Sequence, residues 1–146
     1  MEHAGFGSRF FAWLIDAILM GILGAVCAGC AVGIGLLAAL GDESFFGWLM
    51  GLGFIFLMVI VTFFTFVYFG FFWSRDGQSL GMKMLSMKVV RRESAELCSF
   101  WRAGFRGSIG YWISGLVFSL GFLWALIDAN KEAWHDKIFD TWVVKA

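Results

Sequence analysis

The chain has no proline, two histidines, three cysteines and no net charge, and only 15% of its 146 residues are charged. Each scarcity excludes something. Eleven acids and eleven bases cannot cover the surface of a soluble domain of this size, which carries roughly a quarter charged residues. Zero net charge provides no global field for nucleic acid, and no nucleic-acid partner is expected. Three cysteines cannot make a disulfide framework. Two histidines at opposite ends, with no Cys or acid at ligand spacing, predict no metal site and no cofactor. What is present is apolar. Hydrophobic residues make up 60% of the chain, including 18 Phe and 8 Trp, and mean hydropathy is +0.81. Such a composition suits helices whose solvent is lipid.

Three uncharged or nearly uncharged stretches define the expected spans. Residues 10–40 contain one charge, Asp16; residues 45–73 contain none; residues 107–127 contain none. A crossing takes about 20 apolar residues. The first two exceed this and the third just reaches it. The fold expected is therefore all-α integral membrane, one domain over 1–146, with two full transmembrane helices plus a third span or a re-entrant helical hairpin. The 28 residues of 100–127 are too few for two full spans. A break near Ser114-Gly115 would return the chain to the side it came from. Trp101, Phe105, Ile109 and Trp112 recur at helical spacing with Arg102 and Arg106 on an adjoining face, which predicts an interfacial amphipathic helix leading into this stretch.

Charge asymmetry orients the spans. The connection 41–44 carries Asp42 and Glu43 and no base, whereas the segment 74–106 carries seven bases. The positive-inside rule makes the basic segment and Arg9 cytoplasmic. A cleaved signal peptide is not expected, because Asp16 interrupts the apolar run. Ala28-Gly29-Cys30 imitates the end of a lipoprotein box, but Cys27 stands where Leu is usual.

Asp16 is the residue that needs explaining. It shares a helix face with Arg9, seven positions earlier, and lies about 9 Å deeper than Phe10. An acid at the centre of a helix in the bilayer costs about 2.5–3.5 kcal/mol, less near the interface, and should face protein or water with a partner. Cys27 and Cys30 read as small, buried packing residues. Gly29-x-x-x-Gly33 and Gly47-x-x-x-Gly51 permit close helix approach, within a chain or between chains. Ser114 and Ser119 are expected to bond back to their own helix. Ser79 reads as the N-cap of a short helix, with a strand after it at Met87–Val90; Trp142–Lys145 has the same strand character.

Gly5 to Arg9, Asp16, Gly77-Gln78-Ser79-Leu80-Gly81 through Val90, and His135-Asp136 through Thr141 and Val144 stand in one order over nearly the whole chain. This arrangement resembles the RDD family of small integral membrane proteins, named for one Arg and two Asp. Met82, Asp140 and Trp142 depart from its pattern, Asp140 standing where Gly is usual. The resemblance implies that Arg9, Asp16 and Asp136 are the name-giving ion-pair or ion-binding residues, with Gly77, Gln78, Leu80, Gly81, His135 and Thr141 as further motif positions. If the three act together, Asp136 lies on Arg9's side, which favours the re-entrant hairpin, a cytoplasmic C-terminus and a small strand pair. The implied setting is a bacterial cytoplasmic (inner) membrane, with the lipid bilayer as partner and a homo-oligomer or membrane-protein partner open. Two functions are compatible with this. One is a non-catalytic membrane partner or assembly subunit whose Arg/Asp/Asp set locks the fold. The other is a cation/proton or small-solute transporter using Asp16 with Arg9 and Asp136. No residue set points to an enzyme.

Overall fold

Two 33-residue helices, α1 (Phe6–Ala38) and α2 (Glu43–Arg75), contain the first two apolar stretches. The computed structural model describes residues 2–38, 43–116 and 120–146. Both helices are long and apolar enough to cross a membrane, over Phe6–Cys30 and Gly47–Arg75. Residues 41 and 42 of the acidic connection, and Ser119, lie outside the described residues, while Glu43 begins α2.

The chain divides into two units. One is Ala17–Phe64. Many of its large apolar side chains point outward: Ile22, Val26, Leu52, Phe54, Phe56 and Phe63 are each more than 60% exposed. Outward apolar groups are stable when hydrocarbon is the solvent. Here the expectation of buried cysteines is corrected. Cys27 is half-buried and Cys30 exposed, because the two helices of this unit leave most of each cylinder uncovered.

The other unit, Met1–Asp16 with Thr65–Ala146, holds the core and everything else. After α2 the chain turns at Gly77, whose φ of 73° is left-handed. A side chain there would be strained and would also meet Leu97. Ser79 caps α3 (Leu80–Met84), accepting from the Met82 amide. Strand β1 (Met87–Arg91) comes next. It pairs antiparallel with β2 (Thr141–Lys145), Val89 opposite Val143. The β-branched run favours this pleated pairing, and the first, third and fourth residues of each strand are buried. The N-terminal residues join the pair: His3 bridges Val144, and the Ala4 amide donates to the Val143 carbonyl at 3.0 Å. The strand pair is thus present, and the two ends of the chain meet on it.

Between the strands lie α4 (Phe100–Phe105), a π-helical turn (Arg106–Gly110) and α5 (Tyr111–Leu116). Beyond residues 117–119 come α6 (Leu120–Leu123), one 3₁₀ turn and α7 (Trp134–Ile138). The segments Phe100–Leu116 and Leu120–Leu126 are inclined by 102°. The fold is mostly helical, with two long apolar helices and a bent third apolar segment. The amphipathic reading of this segment needs correction. Trp101, Phe105, Ile109 and Trp112 do share a face, and it is the exposed one. The buried face holds Ala103, Gly104, Gly107, Ser108 and Arg106, so Arg106 lies inside and not at a polar rim. Gly104 and Gly107 let Phe66 and Phe69 of α2 close on this side of the helix, and Arg106 is buried with them, where its guanidinium meets Asp136.

Aromatic rings fill the core of this unit. Phe69 and Trp73 lie 4.3 Å apart between ring centres, and Tyr111 packs edge-on to both.

Candidate functional site

Two buried carboxylates anchor the site, and they are built differently. Asp136 belongs to the first turn of α7. Its Oδ2 accepts from its own turn's Ala133 amide at 3.1 Å and from Arg9 Nη1 at 2.7 Å. Its Oδ1 accepts from Arg106 Nη2. The acid is fully buried and held between two guanidiniums. Arg9 uses its other groups on backbone, Nε to the Ala4 carbonyl and Nη2 to the Val143 carbonyl. Arg106 Nε donates to Thr141 Oγ1 at 2.9 Å, and its Cζ lies 4.5 Å from the centre of the Trp73 ring. One hub therefore joins the start of α1, the π turn, α7 and β2. A charge-assisted set of this kind is strong only because every partner is present. Burial alone would raise the Asp136 carboxyl, but Arg106 and then Arg9 outweigh it and hold the acid well below the ordinary carboxylate range.

Asp16 has no guanidinium partner among the described residues. It is 3% exposed and accepts three hydrogen bonds: from Tyr68 Oη at 2.8 Å, from Ser79 Oγ at 2.5 Å and from the Gly81 amide at 2.9 Å. Tyr68 Oη in turn accepts from the Leu80 amide at 3.1 Å. The donors come from α2 and from the start of α3. Gly81 can supply its amide because it has no side chain: a Cβ there would stand 2.2 Å from the Ala12 carbonyl oxygen. Of the two acids Arg9 bonds Asp136. Arg9 and Asp16 share a face, but two turns separate them, and hydroxyl and amide donors satisfy the deeper acid instead.

The other motif positions serve these hubs. Gln78 Nε2 donates to the Met87 carbonyl and ties the Gly77 turn to β1. Leu80 offers its amide, while its side chain is largely exposed. Thr141 links Arg106 to β2. His135 is buried and stacked edge-on against Tyr111. Its Nδ1 shares a 2.9 Å hydrogen bond with Ser114 Oγ, so Ser114 reaches across to α7 and does not bond back to its own helix. Burial lowers the His135 pKa to about 3, with Arg106 and Arg9 adding to the fall and Asp136 opposing it. The ring is therefore neutral at physiological pH. Asp140 stands at φ 48°, the left-handed region that Gly occupies at lowest cost and Asp tolerates. The turn into β2 keeps a left-handed geometry with Asp in place.

Sequence reasoning missed two residues. It puts Arg106 on the polar side of a regular helix, and the only signal against this is its place at the edge of an uncharged stretch. Tyr68 sits in a Phe-rich run, where its place as one of only two tyrosines in the chain is the signal.

Arg9, Asp16, Arg106 and His135 also line a cavity of about 240 Å³, otherwise walled mostly by apolar side chains. Among the described residues no group of three or more His, Cys, Asp or Glu is placed to hold a metal ion.

The sequence model of the RDD family matches residues 3–140, nearly the whole chain. No curated protein and no solved structure matches it.

Proposed function

Since the chain belongs to the RDD family, we propose that it is a non-catalytic integral membrane protein, a partner or assembly subunit whose buried acids act as fold locks. The observation that supports this best is donor saturation. Asp136 is shared by two guanidiniums and a backbone amide, and Asp16 by two hydroxyls and an amide. A carboxylate so engaged is poorly disposed to bind and release a cation. In this reading α1 and α2 cross the bacterial cytoplasmic membrane, and residues 100–126 enter and return as a hairpin. The basic segment and both chain ends then lie in the cytoplasm. The strand pair and the Arg9–Asp136 bond support that arrangement, since they require both ends on one side. A Lys145→Cys variant should react with an impermeant maleimide in inside-out vesicles only. Labelling from the periplasmic face would overturn the topology.

A second reading rests on Asp16 lining the cavity: a cation/proton or small-solute carrier, in which this acid with Arg9 and Asp136 exchanges its donors for cargo. Purified protein in sealed vesicles separates the two. The lock predicts no dissipation of imposed sodium, potassium or pH gradients, and an Asp16→Asn variant that only lowers folded yield. A gradient-driven flux that Asp16→Asn abolishes establishes the carrier. Native mass spectrometry in mild detergent reads the oligomer or partner.

A further inference from the structure

The cavity has a direction. At its inner end are Arg106, 1% exposed, and the buried His135; at its rim are Phe10, Trp13 and Leu123, each about 40% exposed. Phe10 and Trp13 lie within the stretch of α1 able to cross a membrane, and on the topology proposed above the mouth opens where acyl chains run. Its volume is several times the roughly 30 Å³ share of one water molecule, and slightly below that of pockets that enclose a small organic ligand whole. A headgroup and the first carbons of a chain fill such a space, with the remaining chain leaving past the rim.

One donor at the inner end is unused. Arg106 Nε and Nη2 are engaged, but Nη1 is buried and makes no hydrogen bond of good geometry, although the Tyr111 hydroxyl interacts with the same guanidinium. An unmet charged donor in an apolar wall is costly. Charge points the same way. The hub of Arg9, Arg106 and Asp136 has two cations and one anion. Asp16, also in the lining, has its oxygens engaged by its own three donors. His135 adds no charge.

We propose that this cavity binds an anionic acyl lipid, whose headgroup oxyanion accepts from Arg106 Nη1 while its chain leaves between Phe10, Trp13 and Leu123. The chemistry is shared by a phosphodiester headgroup and a fatty-acid carboxylate.

The test is native mass spectrometry of the purified full chain, given equimolar dioleoyl phosphatidylglycerol and dioleoyl phosphatidylcholine, and separately oleate and oleyl alcohol. The expected result is one retained lipid per chain, with at least tenfold preference for the charged member of a pair. Whichever charged probe is retained identifies the source. Ala125→Phe fills the cavity away from the ion hub and should reduce retention at least tenfold, with the thermal transition unchanged. If that variant fails to fold, Leu123→Trp at the half-open rim is read instead, with the same expected loss. No retained lipid, equal retention of charged and neutral probes, or undiminished retention by the folded variant overturns the proposal.

Discussion

Arg9 Nη1 stands 2.7 Å from Asp136 Oδ2, and 127 positions of sequence separate the two residues. Arg106 completes the other side of the same carboxylate. The two cations are not equivalent. Arg9 retains some exposure and binds two backbone carbonyls, whereas Arg106 is sealed against Trp73 and Thr141.

Removing the acid should therefore cost more than removing the outer cation. Asp136→Asn leaves two guanidiniums facing a neutral amide, and loss of one member of a buried ionic set costs about 3–5 kcal/mol. Arg9→Met should cost less than Arg106→Met, since Asp136 keeps its more buried partner. Thermal denaturation in one detergent ranks the three. An Arg9→Met loss equal to that of Asp136→Asn contradicts the hub as described.

The Asp16 hub predicts a different pattern. Ser79→Ala removes both the donor to Asp16 and the N-cap acceptor of α3. A bond to a charged group contributes about 1.5–3 kcal/mol and a cap about 1 kcal/mol, so a loss of about 2–4 kcal/mol is expected. Tyr68→Phe should lose a bond of the first kind and, with it, the acceptor of the Leu80 amide, but leaves the cap in place. Gly81→Ala should be the most damaging of the three, because its Cβ meets α1 backbone that cannot move aside. Folded yield and melting temperature give the order; a tolerated Gly81→Ala would show that α3 does not seat against Ala12.

Acid should weaken the fold through His135. The unfolded ring takes up a proton near pH 6.5 and the buried ring only near 3. Between those values the unfolded state binds more protons, so stability is full above about 6.5 and falls as pH falls, by up to about 1.4 kcal/mol per pH unit. Asp136 acts at lower pH in the same sense. Its folded pKa is depressed, so its contribution is present above the unfolded value of 3.8 and is lost on further acidification. His135→Gln should flatten the dependence of melting temperature on pH between 6.5 and 4. An unchanged slope would place the titration elsewhere.

Much of this protein is legible in its amino-acid order. The two long helices come from apolar runs too long and too poor in charge for anything but hydrocarbon surroundings. The short strands come from β-branched residues next to a Gly turn and a Ser cap. The motif positions stand in order along the chain. Periodicity could not tell that Arg106 turns inward: the small residues beside it admit Phe66 and Phe69, and its partner Asp136 lies 30 positions further on. It also could not choose the partner of Asp16: three donors from α2 and α3 come together only when Gly81 touches the backbone of α1.

The division has a physical basis. Preference for lipid and local backbone geometry are properties of neighbouring residues, and the amino-acid order alone determined them here. Which donors meet which buried acid depends on close approach of segments 52, 63 and 127 positions apart. Only the packed chain decides that, because a buried charge accepts whichever donors the fold can bring within hydrogen-bond reach.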